Sequence, residues 1–151
     1  MSASRVEVLV VGAGPVGLTA AAAVPRQGLT CRIVDKAPVP SDKSKALVVW
    51  SRTLELLDDL GLAKTFIDAG MKARAASVYG DGKRLVHVEL AGVESPFGFP
   101  LMLPQNETER LLADHLTQIG IQVERSVELL SFNDIADGVA CSLQHPDGTL
   151  E

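Results

Sequence analysis

The segment Gly12-Ala13-Gly14-Pro15-Val16-Gly17 places glycine at its first, third and sixth positions. That GxGxxG spacing suits a loop that holds a dinucleotide by its pyrophosphate, provided a strand precedes it and a helix follows. Each glycine has its own task. Gly12 permits a tight turn, Gly14 lets backbone approach the phosphates, and Gly17 lets the helix pack on the strand. The helix start adds free N–H groups and roughly half a positive charge facing the anion. Pro15 suits the first helical turn, where its missing N–H is no loss. Asp35 stands 18 residues beyond Gly17, about where a carboxylate accepts hydrogen bonds from a ribose diol. A carboxylate there also repels a 2′-phosphate, which favours FAD or NAD over NADP. The competing reading is a glycine turn that merely joins a strand to a helix.

Such residues need a scaffold, and the surrounding sequence reads as one. Residues 6–11 are an apolar, β-branched run of the kind buried on both faces of a parallel sheet. Residues 18–24 read as an alanine-rich helix whose small side chains let it lie close on that sheet, with Gln27-Gly28 as its stop. Pro25 removes a backbone donor and predicts a kink or an end near Val24. Residues 30–35 supply a second strand and complete a βαβ unit. Beyond a polar loop at 37–45, helices are expected over 53–60, capped by Gly61, and over 63–69. Residues 76–79 and 84–90 flank Gly80-Asp81-Gly82 as a hairpin. A helix over 107–119 and a short strand at 121–123 follow. The chain then reads as a meander of strands at 127–132, 139–144 and from 149 onward, with type I′ turns expected at Asp137-Gly138 and Asp147-Gly148. The expected fold class is α/β: a Rossmann-like βαβ unit with a parallel sheet, plus an antiparallel meander and a hairpin.

The 151 residues, 46% hydrophobic and 22% charged, suffice for one core. A formal charge of -5 and a pI near 5.2 give phosphate polyanions no general attraction. Nucleic acid and acidic membrane surfaces are therefore poor partners, and any phosphate must be held locally. No run of about 18 apolar residues occurs, and the apolar start is too short for a signal peptide, so the expected location is cytoplasmic. Cys31 and Cys141 make neither a metal spacing nor a disulfide framework. His87, His115 and His145 have no nearby nucleophile or metal partner in the sequence, and no role is assigned to them.

Val10-Val11-Gly12-Ala13-Gly14-Pro15-Val16-Gly17-Leu18-Thr19-Ala20 resembles the opening of the aromatic-ring flavoprotein hydroxylases, the group that includes p-hydroxybenzoate, phenol and hydroxyphenylpropionate hydroxylases. Lys45-Ala46, followed by Arg52-Thr53-Leu54-Glu55-Leu56-Leu57 and Gly61-Leu62, resembles that family's segment after the second strand. Leu103-Pro104-Gln105 with Glu107-Thr108-Glu109-Arg110-Leu111-Leu112 resembles its later helix start. The three matches fall in the right order and cover essentially the whole chain. They favour FAD where the residues alone left FAD and NAD open.

The resemblance implies that Gly12, Gly14, Pro15, Val16 and Gly17 cradle the pyrophosphate, that Asp35 holds the adenosine ribose and that Lys36 flanks it. Lys45 stands where the family commonly has an arginine beside the flavin's phosphates and ribityl chain. Ala46 and Leu47 would lie near the flavin ring, Gln105 would bond the ribityl or phosphate region, and Val127 would present backbone to the adenine. Read without the family, Lys45 is a solvated loop lysine, Arg52 a helix-start residue paired to Glu55 or Asp59, and Gln105 an N-terminal helix residue.

The implied enzyme is a monooxygenase that takes electrons from NAD(P)H and hydroxylates a small aromatic substrate with O₂. Its chemistry belongs mainly to the flavin, so no catalytic side chain is assigned. The family's Asp-Gly motif before an arginine and its later Gly-Asp motif are not found. Asp81-Gly82, Asp137-Gly138 and Asp147-Gly148 read as hairpin turns instead. Residues 1–151 are thus expected to be the N-terminal portion of the FAD-binding domain without its substrate domain, inactive alone and prone to self-association. Other FAD-dependent oxidoreductases or halogenases on the same domain, and a simple NAD-binding module, are the competing functions.

Overall fold

The computed structural model describes residues 4–41, 46–90 and 92–151. In chain order the elements are β1 (Val8–Val11), α1 (Pro15–Ala23), β2 (Cys31–Asp35), β3 (Val48–Val49), α2 (Ser51–Asp59), α3 (Ala63–Ala69), β4 (Met71–Lys72), β5 (Ala75–Gly80) and β6 (Lys83–Glu89). There follow β7 (Leu101–Met102), α4 (Gln105–Gln118), β8 (Val123–Arg125), β9 (Glu128–Ile135) and β10 (Gly138–Gln144). The chain divides into two compact units, Met1–Asp42 with Glu109–Glu151 and, between them, Lys43–Thr108.

The first unit is built on a parallel sheet in the order β1-β2-β8. Leu18, Ala21 and Ala22 are the buried residues of α1, where small side chains permit close packing. The helix ends at Ala23, and a single 3₁₀ turn over Val24–Gln27 takes in Pro25, as the missing N–H requires. β1 departs from the expectation of a strand buried on both faces. Val8, Leu9 and Val10 are half-buried and Val11 is exposed. Among the described residues β1 has β2 on one side and no strand paired on the other.

After β8 the chain turns at Ser126, which holds a left-handed φ of 58°, and enters the antiparallel pair β9–β10. Val34 of β2, Val127 and Leu143 are buried together, with Leu9 and Leu129 packed against them. This apolar contact joins sheet and meander. The third meander strand is reduced to a bridge between Gln144 and Leu150, with the Glu151 N–H donating to the Leu143 carbonyl at 3.0 Å.

Neither later Asp-Gly pair forms the expected type I′ turn. The ladder runs on to Ile135↔Gly138, so Ala136 and Asp137 are the loop, and neither has the positive φ that a type I′ turn needs. At the next turn the Gly148 N–H donates to the His145 carbonyl at 2.9 Å, which centres the turn on Pro146 and Asp147. Proline fixes a negative φ and so excludes the primed form.

An ion cluster also locks the first unit. The Arg32 guanidinium donates to Glu124 (Nε–Oε1 2.7 Å, Nη2–Oε2 2.8 Å) and to Glu151 (Nη1–Oε1 2.8 Å, Nη2–Oε2 2.9 Å). Glu151 also accepts from the Ser4 hydroxyl and lies 3.0 Å from His145 Nε2. Arg32 first, then Ser4, holds the Glu151 carboxyl well below the usual carboxylate range.

In the second unit, Leu54, Leu57, Ala63 and Phe66 are buried on α2 and α3. Gly61 caps α2, its N–H donating to the Asp58 carbonyl at 2.8 Å while the Leu62 N–H reaches the Leu57 carbonyl at 2.7 Å. A three-stranded antiparallel sheet, β3-β7-β4, accompanies them. The expected β5–β6 hairpin turns at Asp81-Gly82 with φ of 49° and 74°, both positive as a type I′ turn requires.

Candidate cofactor site

The three glycines of the loop are required for different reasons. Gly12 has φ 99°, which side-chain-bearing residues rarely adopt, and its N–H donates to the Val34 carbonyl at 2.8 Å. A Cβ on Gly17 would stand 1.9 Å from the Gly12 carbonyl oxygen, so α1 can approach the loop only through glycine. A Cβ on Gly14 would meet nothing within 4 Å. Among the described residues no neighbour requires glycine there, and the open space lies at the helix N-cap.

Gly14 is extended (φ -79°, ψ -179°), offers no side-chain cap, and precedes Pro15 at N1. The Leu18 N–H donates to the Gly14 carbonyl at 2.9 Å and closes the first turn. The N–H groups of Val16 and Gly17 precede any intrahelical acceptor. The first turn of α1 carries no acidic residue, so its positive end is not neutralised from within. This arrangement of bare N–H groups beside open space fits a pyrophosphate.

Asp35 is more committed than its spacing suggests. Its Oδ2 accepts the Ala13 N–H at 2.6 Å, and its Oδ1 accepts the Ala37 N–H at 2.8 Å. Arg125 Nη1 stands 3.3 Å from Oδ2, and both side chains are largely buried. The carboxylate thus ties the glycine loop to the end of β2. Lys36 is exposed, with its Nζ 3.7 Å from Glu128 Oε1, a contact of little energetic weight. Val127 is buried and its N–H is already given to the Asp35 carbonyl at 3.1 Å.

Arg125 is the site residue that sequence reasoning missed. The short strand was expected to stop at Val123, whereas β8 runs to Arg125, in register with Asp35. A charged residue at the end of a parallel strand is informative only once its neighbour strand is known.

The second unit brings two further expected residues together. The Gln105 N–H, at the start of α4, donates to the Ala46 carbonyl at 3.0 Å, and the Leu103 N–H donates to the Leu47 carbonyl at 2.8 Å. Lys45 lies outside the described residues. Arg52 pairs with Glu55 at 2.8 Å, and Glu55 also accepts the Ser95 hydroxyl at 2.8 Å. Among the described residues no helix is long and apolar enough to cross a membrane.

An open glycine loop at a helix start, between parallel strands of which the second ends in an acid, defines a dinucleotide-binding domain. Residues 5–150 match the family model described as FAD binding domain, and the chain belongs to that family. It is 35% identical over 147 residues to 6-methylpretetramide 4-monooxygenase of Streptomyces rimosus, which covers 96% of this chain and 26% of that protein. It is 31% identical over 146 residues to pentachlorophenol 4-monooxygenase of Sphingobium chlorophenolicum, covering 95% of this chain and 27% of the relative. Among solved structures, OxyS anhydrotetracycline hydroxylase from Streptomyces rimosus matches with a TM-score of 0.82 at 32% identity, over 96% of this chain and 29% of that one. The flavin-dependent monooxygenase PieE, solved with FAD and substrate, matches with a TM-score of 0.87 at 26% identity, over 97% of this chain and 28% of that one. The chain therefore spans under a third of the length of these relatives.

Proposed function

We propose that this chain is the N-terminal portion of the FAD-binding domain of a cytoplasmic monooxygenase that hydroxylates a small aromatic compound with NAD(P)H as electron donor. One observation carries the reading at residue level: among the described residues nothing lies within 4 Å of where a Gly14 Cβ would stand, at a helix start without a side-chain cap. Backbone of Gly12 and Gly14, preorganised by Pro15, admits the pyrophosphate, and the Val16 and Gly17 N–H groups bond it. Asp35 takes a ribose hydroxyl with the acceptor capacity its internal partners leave, and Lys36 flanks it. Lys45 supplies positive charge to the phosphates. Ala46 and Gln105 serve the flavin half, and Val127 presents backbone to the adenine.

When bound, FAD supplies hydride acceptance from NAD(P)H and the activation of O₂ for ring hydroxylation. The residues of this chain bind and orient it. The remaining flavin contacts and the aromatic pocket belong to the part of the enzyme beyond these residues. Gly14→Val in the intact enzyme tests the reading, because the branched side chain fills the space that backbone and pyrophosphate must share. The purified variant should lose its flavin absorbance while keeping its secondary structure by circular dichroism. A variant that stays folded and holds stoichiometric flavin would assign this loop a purely structural role.

A further inference from the structure

Arg125 stands beside the acid of the candidate site, and strand register places the two residues next to each other. Asp35 and Arg125 are the last register pair of β2 and β8, so their side chains leave the same face of the sheet. Beyond that pair the Ser126 N–H donates to the Ala37 carbonyl at 3.3 Å and the Val127 N–H to the Asp35 carbonyl at 3.1 Å. Ser126 itself holds φ 58°, a conformation that costs a non-glycine residue energy, so the corner is kept against strain.

We propose that Arg125 is a positioning residue for the adenosine end of the cofactor: it fixes the Asp35 carboxylate in an orientation that ties down the glycine loop and leaves an acceptor for the ribose. This rests on the dinucleotide reading of the site. A carboxylate offers about four acceptor positions. The Ala13 and Ala37 N–H groups occupy two of them, and Arg125 Nη1 stands 3.3 Å from Oδ2 as an ion-pair partner, which leaves acceptor capacity for a ribose hydroxyl. Without Arg125, the carboxylate keeps two N–H partners but loses its counter-charge. It is then free to turn toward water, and the tie to Ala13 weakens.

Charge gives a second reason for an arginine here. Asp35 bonds the residue between Gly12 and Gly14, so an uncompensated carboxylate would stand against the loop that must receive a pyrophosphate. Arg125 cancels that repulsion without itself entering the phosphate site.

Calorimetric titration of the flavin-stripped intact protein with FAD and with ADP, which carries the adenosine and the diphosphate but neither ribityl chain nor flavin ring, tests the assignment. The variants are Arg125→Met, Arg125→Lys, Asp35→Asn and the Arg125→Met/Asp35→Asn pair. Arg125→Met should weaken FAD and ADP by a common factor of about tenfold, the scale of one charged hydrogen bond. Arg125→Lys should restore most of that loss, and the double variant should bind no worse than Asp35→Asn, because Arg125 acts through Asp35. Should Arg125→Met fail to fold, Arg125→Gln replaces it in the same comparison. Unchanged ADP affinity in folded Arg125 variants, or losses that add in the double variant, would overturn the proposal alone. A wild-type protein that takes neither FAD nor ADP would overturn the site reading, and this proposal with it.

Discussion

At the scale of single residues, the glycine loop separates two causes that its sequence pattern writes in the same letter. Gly17 is demanded by the fold, since its Cβ would stand 1.9 Å from the Gly12 carbonyl, whereas the place of a Gly14 Cβ is open. We therefore expect Gly17→Ala to lower stability by about 1–3 kcal/mol through enforced movement of α1, with flavin lost as a consequence. Gly14→Ala should leave the thermal midpoint within a few degrees of wild type and still reduce flavin affinity. Thermal unfolding of the two apoproteins beside their flavin content checks this; equal midpoints would mean the helix accommodates the methyl group. The spacing made the loop and Asp35 legible in advance. It could not show that the carboxylate is held by Ala13, Ala37 and Arg125, because those partners come from three separate segments.

At the scale of elements, long periodic or punctuated stretches were readable and very short ones were not. α3 occupies Ala63–Ala69, the residues expected of it, and the proline-induced end of α1 lies at Ala23, next to Val24. The two-residue strands β3, β4 and β7 have no period to detect and exist only through their pairing. The turn at Pro146-Asp147 shows proline overriding an Asp-Gly signal. The link between β2, β8 and the last residue, through Arg32, was likewise invisible, and it predicts an inverted pH dependence. Glu151 has a folded pKa below its unfolded value, so its contribution is present above the unfolded carboxylate pKa of about 4.3 and is lost as pH falls through the folded value. In Arg32→Met, Glu124 and Glu151 lose their shared cation and face each other, which raises the carboxylate pKa. That variant should be about 2–3 kcal/mol less stable than wild type at pH 7. It should gain stability on going to pH 5, where wild type does not. Urea unfolding at the two pH values decides, and a variant that weakens on acidification would refute the repulsion argument.

At the scale of the whole molecule, the edge of β1 that pairs with no strand among the described residues sets the expected behaviour of these residues produced alone. An apolar strand with one free edge invites pairing with another chain. The β5–β6 hairpin adds exposed Val78, Tyr79, Leu85, Val86 and Val88. Residues 1–151 expressed by themselves should therefore self-associate, hold FAD weakly and hydroxylate nothing. Light scattering with absorbance checks this, and a monomer carrying one FAD would show that the β1 edge is protected in another way. The division into two units also has a consequence in time. β2 ends at Asp35, but its second neighbour, β8, begins only at Val123, after the whole of the second unit has been made. At ribosomal rates of about 5–20 residues per second, the nascent β2 waits roughly 4–18 seconds for that partner, long enough for a chaperone to reach the growing chain before its sheet can close.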